Sequence, residues 1–309
     1  MVTNKYLKWL CDTPSFWWND SAVLGDMDQA IENGATGVTT NPLLVKRSLY
    51  GNREAWKPFL AGIPELKGDE KAEELIRRVT VSIAKKFEPI YNSSEHAQGY
   101  VCAQVNPKYQ GDSEKMLAMG KRLAKWAPNI AVKLPATAAG LDVAEELAAL
   151  GITTVGTVSF TVPQALEIAR RQQLGRERAI KANLRPAAAF SVIMVGRLDD
   201  YLRDVAHDMH APVKEEDIIQ AGTACIKRSF EIFRERGYEA KLMPAGMRGA
   251  YQATALAGAD LSMSLSSGIH TALDKETVYT TECFEKPVDS EVIERLRSIP
   301  DFSRAYEQT

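Results

Sequence analysis

Two periodicities alternate along this chain. Short runs with a large apolar residue at every second position predict strands, and longer stretches with apolar residues returning every three or four positions predict amphipathic helices. Strands are expected at residues 16–20, 36–40, 99–105, 129–137, 152–158, 187–194, 240–244 and 260–265. Helices are expected near 26–33, 73–88, 113–126, 141–150, 163–174, 214–236 and 289–296. Leu75, Val79, Ile83 and Phe87 form one buried stripe, and Ile219, Ala224, Ile226, Phe230 and Phe233 mark the long sixth helix. Gly34 and Gly151 supply helix stops. Eight strands with intervening helices predict an α/β chain, a closed (β/α)8 TIM barrel forming a single domain over residues 1–309 with a C-terminal helix. A doubly wound open sheet competes, but no glycine-rich phosphate fingerprint follows any strand.

Composition narrows the class of partner. With a formal net charge of -2 and 25% charged residues of interspersed sign, the chain has no basic footprint for nucleic acid and no polybasic membrane patch. A small-molecule partner is expected. Cys11, Cys102, Cys225 and Cys283 lie far apart, a spacing that fits neither a zinc site nor a disulfide framework, so they read as reduced thiols of a cytoplasmic protein. No apolar run reaches membrane-spanning length, and the first residues lack the apolar centre of a signal peptide. Without a secretory signal, the sequon Asn92-Ser93-Ser94 carries no weight.

One residue breaks the strand pattern. In Asn129-Ile130-Ala131-Val132-Lys133-Leu134-Pro135-Ala136-Thr137, the large residues Ile130, Val132 and Leu134 share one face, which leaves Ala131 and Lys133 on the other. With the apolar face under a helix, Lys133 points into the interior. Desolvation disfavours the charged form of a buried lysine, and a neutral amine attacks a carbonyl to give a Schiff base. A lysine at a strand end can equally snorkel to water, so this segment alone leaves both readings open.

Other polar residues fall at matching places. Catalytic side chains of such barrels project from the C-terminal ends of the strands. Asp20 closes the first strand on the face of Phe16 and Trp18, and Asn41 follows Gly37-Val38-Thr39-Thr40 just before the strand-stopping Pro42. Gln104 shares a face with Tyr100 and Cys102, and Thr157 with Val155 and Thr153. Each has a plain structural reading: Asn41 as a helix cap, Gln104 as filler of a polar layer, Thr157 as an ordinary strand residue. Five units that each end in an inward polar residue, one of them a lysine, are harder to explain that way.

The same segments carry a resemblance. Gly37-Val38-Thr39-Thr40-Asn41-Pro42, Val132-Lys133-Leu134-Pro135-Ala136-Thr137, Gly151-Ile152-Thr153-Thr154-Val155-Gly156-Thr157, Val195-Gly196-Arg197-Leu198-Asp199-Asp200 and the Met247-Arg248 region resemble the transaldolase family, which includes the fructose-6-phosphate aldolases. The resemblance runs in order from about residue 20 to residue 264. It implies a (β/α)8 barrel and class I aldol chemistry with no metal and no cofactor, Lys133 being the Schiff-base lysine. It further implies Asp20 as acid/base, Thr157 and Gln104 as the residues that position water, and Asn41, with Thr40 beside it, as holders of substrate hydroxyls. Arg197 and Arg248 match the phosphate-binding arginines, and planar guanidinium groups suit a terminal phosphate.

Several positions depart from the family pattern. Gln104 stands where transaldolases proper carry glutamate and Val155 where they carry asparagine, and both changes resemble the fructose-6-phosphate aldolase branch. Met194 occupies the place of that branch's tyrosine and of the transaldolases' phenylalanine, and it can neither donate a proton nor orient water. Gly246 replaces a serine that would help bind phosphate, and Val192 replaces a small residue at the donor end. The expected activity is transfer of a dihydroxyacetone unit between sugar phosphates by a homo-oligomer, with a sugar phosphate or related ketose as partner. A lyase that releases free dihydroxyacetone is the alternative, and a catalytically silent sugar-phosphate binder is the alternative of another class. His207-Asp208-Met209-His210 with Asp204 reads as a solvated polar connection rather than a metal cluster.

Overall fold

The structure is a computed structural model describing residues 3–63, 65–275 and 277–308. Eight strands form it: β1 (Phe16–Asp20), β2 (Gly37–Thr39), β3 (Tyr100–Gln104), β4 (Ile130–Pro135), β5 (Thr154–Thr157), β6 (Ala189–Met194), β7 (Lys241–Ala245) and β8 (Ser262–Leu265). All pair in parallel in the order β7-β6-β5-β4-β3-β2-β1-β8, and β7 and β8 lie against each other to complete the ring. The fold is a (β/α)8 barrel. Asn129, fully buried, pins the start of β4 by donating to Ala84 O at 3.0 Å and Gly99 O at 2.8 Å.

Alternation along the strands sorts their residues into two cores. Trp18, Tyr100, Cys102, Ala131, Val155, Phe190, Val192, Met243 and Ala245 fill the barrel, while Trp17, Val38, Val101, Val132, Leu134, Ile193 and Leu242 pack outward under the helices. Inside, Trp18 meets Phe190 edge-on at 4.7 Å and Tyr100 meets Phe190 at 6.0 Å, so aromatic rings plug the barrel below the strand ends. Polar residues at those ends are therefore displayed from one side only.

The helices differ from expectation in several places, among them the unexpected short helices Lys5–Leu10, Ala250–Leu256 and Ser267–Leu273. Residues 42–60 form two helices, Pro42–Gly51 and Arg53–Leu60, and residues 195–209 form another, Val195–Met209. The last begins at the residue after β6 with no turn between them, so no boundary residue marks its start. Its spacing of Val195, Leu198, Leu202 and Ala206 is helical, and all four are buried. It also contains His207, so the segment read as a polar connection ends a helix, with His210 in the left-handed conformation. The long helix expected at 214–236 is divided into Glu215–Ile218 and Ala221–Arg236. A C-terminal helix is present at Ser290–Leu296, followed by a further one at Pro300–Tyr306.

Candidate active site

Lys133 lies in register with Gln104 on β3 and with Val155 on β5, so the lysine and the glutamine project side by side at the C-terminal end of the barrel. Lys133 is partly buried, above the fully buried Ala131 of the same face. No described side chain hydrogen-bonds or ion-pairs with it. The amine is thus held by its strand and left available for a ligand.

Across the barrel, β1, β2 and β8 bring three oxygens together. Thr39 Oγ1 donates to Asp20 Oδ1 at 2.9 Å and lies 2.6 Å from Ser264 Oγ. A hydroxyl has one proton to give, so with Thr39 donating to Asp20 it is Ser264 that donates to Thr39. Burial raises the Asp20 carboxyl above its ordinary range, while the charge of Lys133 and the Thr39 hydrogen bond oppose that rise. Cys102 shares this interior: burial pushes its thiol up to about 11, against the pull of Lys133 and of the Thr40 backbone. It is a neutral, inert thiol.

Asn41 accepts from Leu44 N at 3.0 Å and so caps the Pro42–Gly51 helix, with Pro42 in the first turn. The cap uses Oδ1. Thr40 is buried, and it is its neighbour Thr39 that reaches Asp20. Thr39 and Ser264 were not singled out as site residues by the sequence, although parity carried the signal: Val38 packs outward, which turns Thr39 inward. Thr157, buried at the end of β5 and paired with Pro135, is followed by Val158 in the left-handed region at φ 56. Gln104, Pro135, Thr137, Thr157 and Val158 line a cavity of about 250 Å³. A larger cavity of about 390 Å³, beside Trp17, Asn19 and His270, contains none of the residues expected to act.

The two arginines differ in their surroundings. Arg197, in the first turn of the Val195–Met209 helix, is exposed and has no ion-pair partner among the described residues. Arg248 is held by Asp200, Nε to Oδ2 at 3.0 Å, and by Gly246 O, which accepts from Nη1 at 2.7 Å. Gly246 has φ +65, and a Cβ there would lie 3.0 Å from Met194 Cε, so the methionine covers the glycine. Among the described residues no group of three or more His, Cys, Asp or Glu could hold a metal ion, and no helix is long and apolar enough to cross a membrane.

A sequence model described as Transaldolase/Fructose-6-phosphate aldolase matches residues 17–300. The chain belongs to the transaldolase/fructose-6-phosphate aldolase family. Transaldolase 1 of Streptomyces avermitilis is 29% identical over 80% of this chain and 65% of its own length. A transaldolase of Thiobacillus denitrificans is 30% identical over 54% of this chain and 48% of its own length, and a probable transaldolase of Dehalococcoides mccartyi is 28% identical over 74% and 76%. The chain therefore spans less than two thirds of the length of the first two relatives. On the barrel of this family member, the positions expected to depart from the family pattern are not scattered. Gln104, Val155, Val192 and Met194 all belong to the inward faces of β3, β5 and β6, and Gly246 meets Met194.

Proposed function

We propose that the chain is a Schiff-base transaldolase-like enzyme that transfers a dihydroxyacetone unit between sugar phosphates. The observation that carries this reading is the register of Lys133 beside Gln104, facing an Asp20 carboxyl held by Thr39. Lys133 attacks the C2 carbonyl of the ketose, and the carbinolamine loses water with Gln104 and Thr157 positioning the water that enters and leaves. Asp20 then takes the proton of the C4 hydroxyl. The C3–C4 bond breaks, the aldehyde departs, and the bonding pair passes into the iminium to give an enamine on Lys133. The reverse steps on an acceptor aldehyde complete the transfer. Asn41 and Thr40 hold hydroxyls of the retained unit, and Arg197 and Arg248 take the terminal phosphate.

A second reading, a lyase releasing free dihydroxyacetone, is favoured by Gln104 and Val155 and disfavoured by Met194. Assay of fructose 6-phosphate with and without erythrose 4-phosphate separates the two, because acceptor-independent cleavage defeats the transferase. Borohydride trapping tests both: the expected result is an adduct on Lys133, abolished in Lys133→Met with the fold intact. Absence of any adduct with dihydroxyacetone or a ketose would leave only a sugar-phosphate binder. The same reading places the protein in the cytoplasm, working as a homo-oligomer.

A further inference from the structure

We propose that Asp199 is a positioning residue for the anion end of the site, acting through the side-chain amide of Gln252 on the backbone of Arg248. The inference rests on reading Arg248 as part of that end. Asp199 and Gln252 are both fully buried. Asp199 Oδ1 accepts from Gly222 N at 2.8 Å and its Oδ2 from Gln252 Nε2 at 2.7 Å, while Gln252 Oε1 accepts from Arg248 N at 2.7 Å. Once ionised, Asp199 only accepts, so Gln252 must turn its NH2 to it, and that leaves its carbonyl for Arg248. The next residue, Asp200, holds the Arg248 guanidinium. Two consecutive carboxylates therefore hold the main chain and the side chain of one arginine.

The packing permits little slack. A Cβ on Gly196 would lie 2.3 Å from Gly246 O and 2.8 Å from Arg248 Cγ, so the first turn of the Val195–Met209 helix rests directly on the arginine's segment. Asp199 also has a structural duty, since Gly222 N belongs to the first turn of the Ala221–Arg236 helix. The two roles separate by substitution. In Asp199→Asn the side-chain oxygen still accepts from Gly222 N, but its NH2 now faces Gln252. To meet it Gln252 must flip, which sets its own NH2 against the Arg248 N–H. In Asp199→Asn with Gln252→Glu, the asparagine donates to the new carboxylate, which again accepts from Arg248 N.

The test is the affinity of the full chain for inorganic phosphate at pH 8, where Asp199 is ionised, read by calorimetry, together with the rate of borohydride-trapped dihydroxyacetone adduct formation on Lys133. Asp199→Asn is expected to weaken phosphate about tenfold, and the double variant to return to within about threefold of wild type. Removal of a negative charge near two arginines would by itself tighten an anion, so weakening identifies the hydrogen-bond chain. Gln252→Leu, which keeps Asp199 and its contact with Gly222, is expected to weaken phosphate similarly, and it serves if Asp199→Asn folds poorly. Adduct formation stays at the wild-type rate in all three. Unchanged phosphate affinity in Gln252→Leu, failure of the double variant to recover, or adduct formation falling in parallel would overturn the inference and leave the anion reading standing. If the wild type binds no phosphate, the anion reading and this inference fall together. If the wild type forms no adduct, the Schiff-base reading falls while the phosphate affinities still decide this one.

Discussion

Thr39, from β2, donates its hydroxyl proton to Asp20 Oδ1 of the neighbouring β1 across 2.9 Å. Burial raises the carboxyl, and this bond, with the charge of Lys133, works against the rise. Thr39→Val keeps the shape and removes the donor, so the Asp20 carboxyl rises further. Under the proposed function Asp20 is the base in bond cleavage and acts ionised. The acid limb of the kcat/KM profile should therefore move to higher pH, with a loss of about tenfold on that limb that narrows as pH rises above it. Thr39→Ser should behave as wild type. A Thr39→Val profile superimposable on wild type would remove Thr39 from the site.

Val158 follows Thr157 in a backbone conformation that suits it badly. A β-branched residue at φ 56 costs of order 1–3 kcal/mol, and Val158 is 56% exposed, so little burial offsets that cost. Ser159 holds the turn from the far side by donating to Val192 O at 2.5 Å. Val158→Asn, which tolerates the left-handed region, should raise stability by about 1 kcal/mol, whereas Val158→Ala should gain less. If Thr157 depends on that turn being rigid, Val158→Gly should lower kcat while KM changes little. A fall in thermal midpoint for Val158→Asn would show that the valine is not strained.

The barrel itself was legible because its strands alternate cleanly. Trp18, Tyr100 and Val155 face inward while Trp17, Val101 and Val132 face outward, and period two is enough to place Asp20, Gln104, Lys133 and Thr157 on one surface. Thr39 was less visible, since in Thr39-Thr40-Asn41 three small polar residues stand together and only Val38 breaks the tie. The Val195–Met209 helix escaped because β6 runs straight into it, with none of the glycine or proline punctuation that marked the others. The partnerships of Arg248 with Asp200 and of Asp199 with Gln252 link residues about fifty positions apart. No local pattern encodes such pairs; only the packing of the Val195–Met209 helix on the segment after β7 creates them.

Met194 and Gly246 should behave as one unit. A serine at 246 would adopt φ +65 and would press its Cβ to 3.0 Å from Met194 Cε. Gly246→Ser is therefore expected to destabilise by about 1 kcal/mol or more, without the gain in phosphate affinity that an added hydroxyl would otherwise bring. Met194→Ala makes room, so the double variant should recover part of the loss and show a measurable coupling in a double-mutant cycle. Strict additivity of the two changes would mean that the contact carries no energy.

Asp199 makes stability depend on pH in an unusual direction. Burial pushes its carboxyl from an ordinary 3.8 up to about 7, while the Gly222 N–H, Arg203 and Arg248 hold it down and Asp200 adds to the rise. Between those values the folded chain keeps a proton that the unfolded chain has released, so stability from this group is complete below about pH 4 and is lost as pH rises through about 7. Each unit is worth about 1.4 kcal/mol, and the full span amounts to a few kcal/mol at most. Asp199→Asn removes the titrating group while keeping the acceptor for Gly222 N. Subtracting the variant's thermal midpoint from that of the wild type at each pH cancels every other ionisation. The difference should turn against the wild type as pH rises from 5 to 8, and a flat difference would show that Asp199 is already ionised across this range.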